Sequence, residues 1–294
     1  MSLVASVKRE ATALRADGKG RSLAVIAGVW GVLLGTRMIY PVLLPYFRET
    51  FGLSLSVAGL LVTVLWLGSA VGQCPGGVLA DRYSERSVMT VGAAVVAAAV
   101  LVVVAAPTAI ALFVSTALVG LGQSLYPIAR ITILADIYPD RIGSALGVTM
   151  ATGDLGQTVL PPVAGTIAAA VAWQAGLGVV APLLLVGAAA LWVLLPRTVD
   201  SGDGDAGAAA GTVSGSTARR VLGELRRPNL VFVAFIFFLY ILVWQSFTGF
   251  YPTYLVEEKG LASSTASGLF SLFFAAGILV KPLAGGAYDR IGFR

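Results

Sequence analysis

The chain has 294 residues, 57% of them hydrophobic and only 12% charged, with a formal net charge of +5 at pH 7. An ordinary soluble domain carries about 25% charged residues, so this chain cannot cover the surface of a globule in water. With no His and one Cys, Cys74, it is also barred from imidazole acid–base chemistry, Ser-His-Asp triads, His-ligated zinc and intrachain disulfides.

Residues 1–21 form a basic tail with Lys8, Arg9, Arg15, Lys19 and Arg21. Apolar runs of about 20 residues mark spanning helices, and eight are expected, at 22–47, 53–80, 87–106, 108–137, 142–170, 174–196, 228–255 and 262–287. The first is too long, and lacks the small-residue cleavage site, for a removable signal peptide. Between the sixth and seventh, residues 197–227 are rich in Gly, Ala, Ser and Thr, and such a stretch reads as a flexible linker. In an alternating path, Arg82, Arg86, Arg141, Arg197, Arg219, Arg220, Arg226, Arg227, Arg290 and Arg294 share the side of the N-terminal tail, against Arg48 and Lys259 opposite. Lys and Arg stay cytoplasmic, so both ends are expected inside. The positive balance is topology rather than nucleic-acid binding, and the compact loops suggest a prokaryotic cytoplasmic membrane.

Charge within the spans carries the functional signal, because a cation in hydrocarbon costs at least ~2.5–3.5 kcal/mol and is kept where it faces a cavity or a partner. Arg37 lies about 15 residues into the first span, ~22 Å at the helical rise. Tyr40 shares its face at i+3, and Pro41 and Pro45 can bend the helix there. In the second span Gly68, Gly72 and Gly76 make a smooth packing face. The fourth holds Arg130, with Gln123 two turns away on one face, and Asp136 near its inner end. Asp154 is the one carboxylate deep in a span, the fifth, and is expected to pair with Arg130 or Arg37. The seventh offers Trp244 and Gln245 to a cavity, with Tyr251 and Tyr254 as an interfacial belt. In the eighth, Lys281 precedes Pro282. Three cations against one carboxylate leave an electropositive cavity suited to an anionic solute. Arg130 and Lys281 also read as snorkelling side chains, and Arg130–Asp154 as a structural pair.

An internal repeat crosses the linker. Gly77, Asp81, Arg82 and Arg86 recur at an offset of 208 as Gly285, Asp289, Arg290 and Arg294, and Gly52-Leu53 recurs as Gly260-Leu261 at the same offset. The stretch 77–86 resembles the loop signature of the major facilitator superfamily, G-x-L-a-D-R-x-G-x-R/K, and 285–294 resembles its second copy. Ser84 stands where the first copy calls for Gly, a position the second copy keeps as Gly292. The fifth span, at Gly147, Gly156, Pro161, Pro162 and Gly165, resembles the helix-bending motif of the family's antiporters, with Leu160 and Ala164 replacing two glycines. The family's fourth-helix R-x-x-x-G is absent: Thr116 stands four residues before Gly120.

The resemblance implies an all-α membrane protein of the major-facilitator type: one complete six-helix half (22–196), the linker 197–227, and the first two helices of a second half (228–294). A chain with eight of the usual twelve spans is expected to be part of a longer transporter. The implied activity is alternating-access transport of an anionic organic metabolite, without enzymatic chemistry or a cofactor. Its partners are the lipid bilayer, a small solute and a coupling ion. Arg37, Tyr40, Gln123, Arg130, Trp244, Gln245 and Lys281 are its candidate cavity residues, and Asp154 a charge partner or coupling group. The two signature copies with Asp136 form a cytoplasmic gating latch. Drug/proton efflux and a non-transporting membrane protein are the alternatives.

Overall fold

A computed structural model describes residues 19–196 and 228–291, and the regular elements among them are helical. In chain order they are α1 (Lys19–Phe51), α2 (Leu55–Arg82), α3 (Glu85–Val104), α4 (Ala109–Ser124), α5 (Tyr126–Ile137), α6 (Ile142–Ala170), α7 (Trp173–Gly178), α8 (Val180–Leu194), α9 (Pro228–Glu257) and α10 (Ser263–Ile291), with a single 3-10 turn at Pro139–Arg141. The expected linker lies outside the described residues, as does all but the last few residues of the N-terminal tail.

Among the described residues seven stretches are long and apolar enough to cross a membrane: α1, Leu55–Gln73 of α2, α3, α4 with α5, α7 with α8, α9, and Ser263–Ala284 of α10. The one expected span not among them is the fifth, α6, long enough at 29 residues but diluted by its Gly and Thr residues, Asp154, Gln157 and the Pro161–Pro162 pair. Two expected spans are interrupted. The fourth breaks at Leu125 and the sixth at Val179. Pro127 and Pro182 follow the breaks, and a proline ring removes the N–H and crowds the carbonyl four residues back.

Hydroxyl caps start three of the helices. Ser54, Ser84 and Thr108 accept from the backbone N–H groups of Val57, Ser87 and Ala111 at 3.3, 3.4 and 3.2 Å, satisfying donors that a helix start leaves free. Ser84 thus has a local reason to depart from the glycine of the loop signature. The sequence repeat has a backbone counterpart as well. Gly52 and Gly260, 208 residues apart, sit at φ +65° and +64°, so the α1–α2 and α9–α10 turns both pass through the left-handed region that favours glycine.

Packing depends on backbones that approach closely. α1 and α6 run in the same direction, with Gly31 against the Thr152 carbonyl (2.6 Å to an added Cβ) and Gly35 against that of Gly156 (2.6 Å). The face of Gly68 and Gly72 on α2 meets α4, at Ala117 and Ser124. α10 lies antiparallel along α6, Ser267 beside Gly165 and Gly277 beside Asp154. A second apolar cluster of Met38, Val42, Phe270 and Phe274, flanked by Trp66, Trp244 and Tyr251, joins α1, α2, α9 and α10. Tyr251, expected in the interfacial belt, is instead packed there and stacks on Phe247 at 4.6 Å, whereas Tyr254 is exposed. At the same end of the molecule Arg48 of α1 forms an ion pair with Glu257 of α9.

Gly156→Ala would place a methyl group on the Gly31 carbonyl, and relieving that overlap costs about 1–3 kcal/mol. A melting temperature several degrees lower is expected in detergent by fluorescence-detected size exclusion. Gly28→Ala, whose Cβ meets nothing within 4 Å, is expected to melt at or above the wild-type temperature.

Candidate functional site

Arg37, in the middle of α1, is half-buried and held by uncharged groups. Its Nε donates to Gln123 Oε1 at 2.8 Å and its Nη2 to Ser69 Oγ at 3.0 Å. The guanidinium lies 4.1 Å from the centroid of the Trp66 ring, a cation–π contact. Gln123 is oriented in turn, because its Nε2 donates to the Leu33 carbonyl at 3.2 Å. Tyr40 does share the face of Arg37: one turn on, its hydroxyl accepts from Thr116 of α4 at 3.4 Å. It is fully buried, which makes it a core residue rather than a cavity wall. Trp66 and Ser69 were not singled out in the sequence, although a mid-span hydroxyl is the same kind of signal that marks Gln123.

Arg130 is enclosed. It is 2% exposed, its Nη1 donates to Thr149 of α6, and its guanidinium lies 4.2 Å from the centroid of Trp30. Trp30 stacks on Tyr126 at 6.0 Å, and the Tyr126 hydroxyl donates to the Ile26 carbonyl at 2.8 Å. Arg130 Nε and Trp30 Nε1 are buried without a hydrogen-bond partner. The expected shared face of Arg130 and Gln123 is not found. The break at Leu125 separates them, and Gln123 serves Arg37 instead.

Asp154 pairs with neither arginine. Its Oδ1 accepts from Lys281 Nζ of α10 at 2.6 Å and from Gln157 Nε2 at 3.3 Å, while Oδ2 is buried without a partner. The pair is asymmetric, with side-chain exposures of 43% for Lys281 and 3% for Asp154. The physical reason for this partner is the close approach of α10 to α6. A Cβ at Gly277 would fall on the Asp154 carboxylate, so the absence of a side chain there, one turn before Lys281, lets the two helices meet. Lys281 therefore finds a carboxylate rather than snorkelling.

The remaining candidates separate. Trp244 packs in the aromatic cluster, 5.0 Å from Phe273, and Gln245 Oε1 accepts from Thr248 on its own helix at 3.5 Å. Arg86, expected in a latch with Asp136, turns to α8: Nη1 donates to the Leu195 carbonyl at 3.1 Å and the guanidinium lies 4.0 Å from the Trp192 centroid. It caps a helix C-terminus, where a cation is favoured. Gly77, Asp81 and Arg82 lie late in α2, and Gly285, Asp289 and Arg290 late in α10. Their side chains, and Gly292 and Arg294 entirely, fall outside the described residues. In α6, Gly147 and Pro161 are buried, Gly156 forms the crossing with α1 and Gly165 faces Ser267. Pro162 is part-buried, and the helix runs unbroken through the proline pair.

The described residues thus form a multi-pass helical bundle whose intramembrane charges meet between packed helices. The chain belongs to the Major Facilitator Superfamily, whose defining pattern matches residues 25–294. It is 25% identical over 268 residues to a hexuronate transporter of Bacillus subtilis, covering 90% of this chain and 63% of that protein. It is 30% identical over 157 residues to a gentisate transporter of Corynebacterium glutamicum, covering 53% and 34%. A probable sulfoacetate transporter of Cupriavidus necator is 26% identical over 283 residues, covering 92% and 64%. The chain thus spans less than two thirds of the length of these relatives. The fold is shared with a solved D-xylose-proton symporter (TM-score 0.63, 16% identity, 86% of this chain and 65% of that one). It is shared also with a peptide transporter bound to sulfate (TM-score 0.62, 19% identity, 93% and 69%).

Removing one member of a buried ion pair leaves the other uncompensated. Lys281→Met is expected to destabilise the chain by roughly 3 kcal/mol, the low end for a buried pair because Lys281 is partly exposed. The double variant Asp154→Asn/Lys281→Met should recover most of the loss, read as melting temperatures in a double-mutant cycle. Additive losses would show that the two side chains are not coupled.

Proposed function

We propose that the chain carries the anion-docking part of an alternating-access secondary transporter for a small organic anion. The observation that carries this reading is Arg37: a guanidinium in the middle of an apolar span, held by Gln123, Ser69 and Trp66, and without an ion pair among the described residues. A cation kept at such depth without a carboxylate partner is suited to receive one from a solute. The names of the hexuronate and gentisate transporters, each denoting a monoanion, support the same class of substrate; the third name, sulfoacetate, denotes a dianion and supports an anion without fixing its charge.

In this reading α1–α8 form the first six-span half and α9–α10 open the second, with the basic ends cytoplasmic. The Arg48–Glu257 pair and the cluster around Met38, Val42, Phe270 and Phe274 then close the path at the outer end. Toward the opposite, cytoplasmic end α9 stands clear, exposed at every described position from 230 to 243. The helix contacts that must slide during alternation are those of α10 on α6, where the Asp154–Lys281 pair crosses from one half to the other. Arg130, enclosed by Trp30 and Thr149, holds α5 to α1 and α6 rather than touching solute in this conformation.

Arg37→Ala is expected to abolish uptake or exchange of organic anions in cells or vesicles, at unchanged membrane abundance. Undiminished transport would remove Arg37 from the site, and export of lipophilic cations instead would contradict an electropositive cavity.

A further inference from the structure

Arg37 and Lys281, two partly exposed cations within the described spans, are balanced differently. Among the described residues Arg37 meets only uncharged partners, so its positive charge is available. Lys281 is already neutralised by Asp154 at 2.6 Å. The levels of the two along the bundle follow from the packing register. Gly31 against Thr152 and Gly35 against Gly156 place Asp154 beside residues 31–35 of α1, about one helical turn, ~5.4 Å, below Arg37. A second acidic group on a solute that extends from Arg37 down one turn and across toward α10 would meet Lys281 at that level.

Building on the anion-docking reading, we propose that the site takes organic solutes carrying a single negative charge, and that Asp154 sets this limit by keeping Lys281 neutralised. A monocarboxylate on Arg37 balances the available charge and leaves the Asp154–Lys281 pair intact. The second charge of a dicarboxylate has two options, both unfavourable. It stays unpaired among apolar side chains, or it draws Lys281 away and leaves the Asp154 carboxylate buried without a cation.

Asp154 has no easy relief from that second outcome. Gln157 offers it only a neutral amide at 3.3 Å, its Oδ2 has no partner, and the α10 backbone at Gly277 lies directly against it. Arg130 does not substitute as a ligand for the second acid, because it is 2% exposed behind Trp30 and Thr149. Asp154 is thus a specificity-determining residue that acts through Lys281, without touching the solute itself.

The test is isothermal titration calorimetry on the purified chain with two pairs matched in skeleton: gluconate against glucarate, and benzoate against phthalate. In the wild type the monoanion of at least one pair is expected to bind about tenfold or more tighter than its dianion, a difference of about 1.4 kcal/mol. Asp154→Asn should tighten the dianion about tenfold while leaving the monoanion within about threefold. Asp154→Asn/Lys281→Met should lose that gain, which a merely structural role for Asp154 would not produce. Equal wild-type binding of both members, or an Asp154→Asn ratio unchanged from wild type, would overturn the proposal. Failure of the wild type to bind any of the four acids would instead overturn the anion-docking reading beneath it, and the proposal with it.

Discussion

The ion pair between Asp154 and Lys281 is the contact on which the arrangement of charges in this protein depends. It forms because α10 can lie against α6 at Gly277, and α6 in turn lies against α1 through Gly31, Gly35 and Gly156. Those approaches set the height of Asp154 relative to Arg37, and so which cation is neutralised and which is left available. A larger residue at Gly156 or Gly277 would act at a distance on the site's electrostatics by separating helices, with no change in any charged side chain.

Three cations lie within the spans, and the protein accommodates each by a different physical route. Lys281 has a carboxylate. Arg130 is closed in by an aromatic face and a hydroxyl, which suits a residue that ties helices together. Arg37 has a cation–π contact and two neutral hydrogen bonds, an arrangement that offsets part of the cost of burial while leaving the charge uncancelled. In the proposed reading that third arrangement leaves a positive charge ready for a solute, which distinguishes Arg37 from the other two more clearly than its depth in the membrane does.

Much of this was legible in the sequence. Composition alone identified a membrane protein, and the offset of 208 between the two signature copies has its counterpart in two left-handed glycines, Gly52 and Gly260. Arg37 and Gln123 were both recognisable as polar residues without reason to be in lipid, and they prove to be bonded to each other. The partners of Asp154 and Arg86 were not legible, because pairing depends on which helix faces cross and at what height, and neither is written in local periodicity. Asp154 looked nearest to the arginines of its own half, yet a glycine on α10 brings Lys281 closer. Arg86 looked like half of a loop latch, but the carbonyl end of α8 and the face of Trp192 lay nearer. The breaks at Leu125 and Val179 could have been read from Pro127 and Pro182; apolar run length concealed them, since hydropathy does not register a missing N–H.

Alternating access with an anion at Arg37 is tested most directly by counterflow. Proteoliposomes bearing the chain are loaded with unlabelled organic monocarboxylate and diluted into a trace of the same acid, radiolabelled. A carrier that exchanges sites across the membrane should accumulate label transiently above its equilibrium level. Label that rises only monotonically to equilibrium, at the rate of protein-free vesicles, would contradict it.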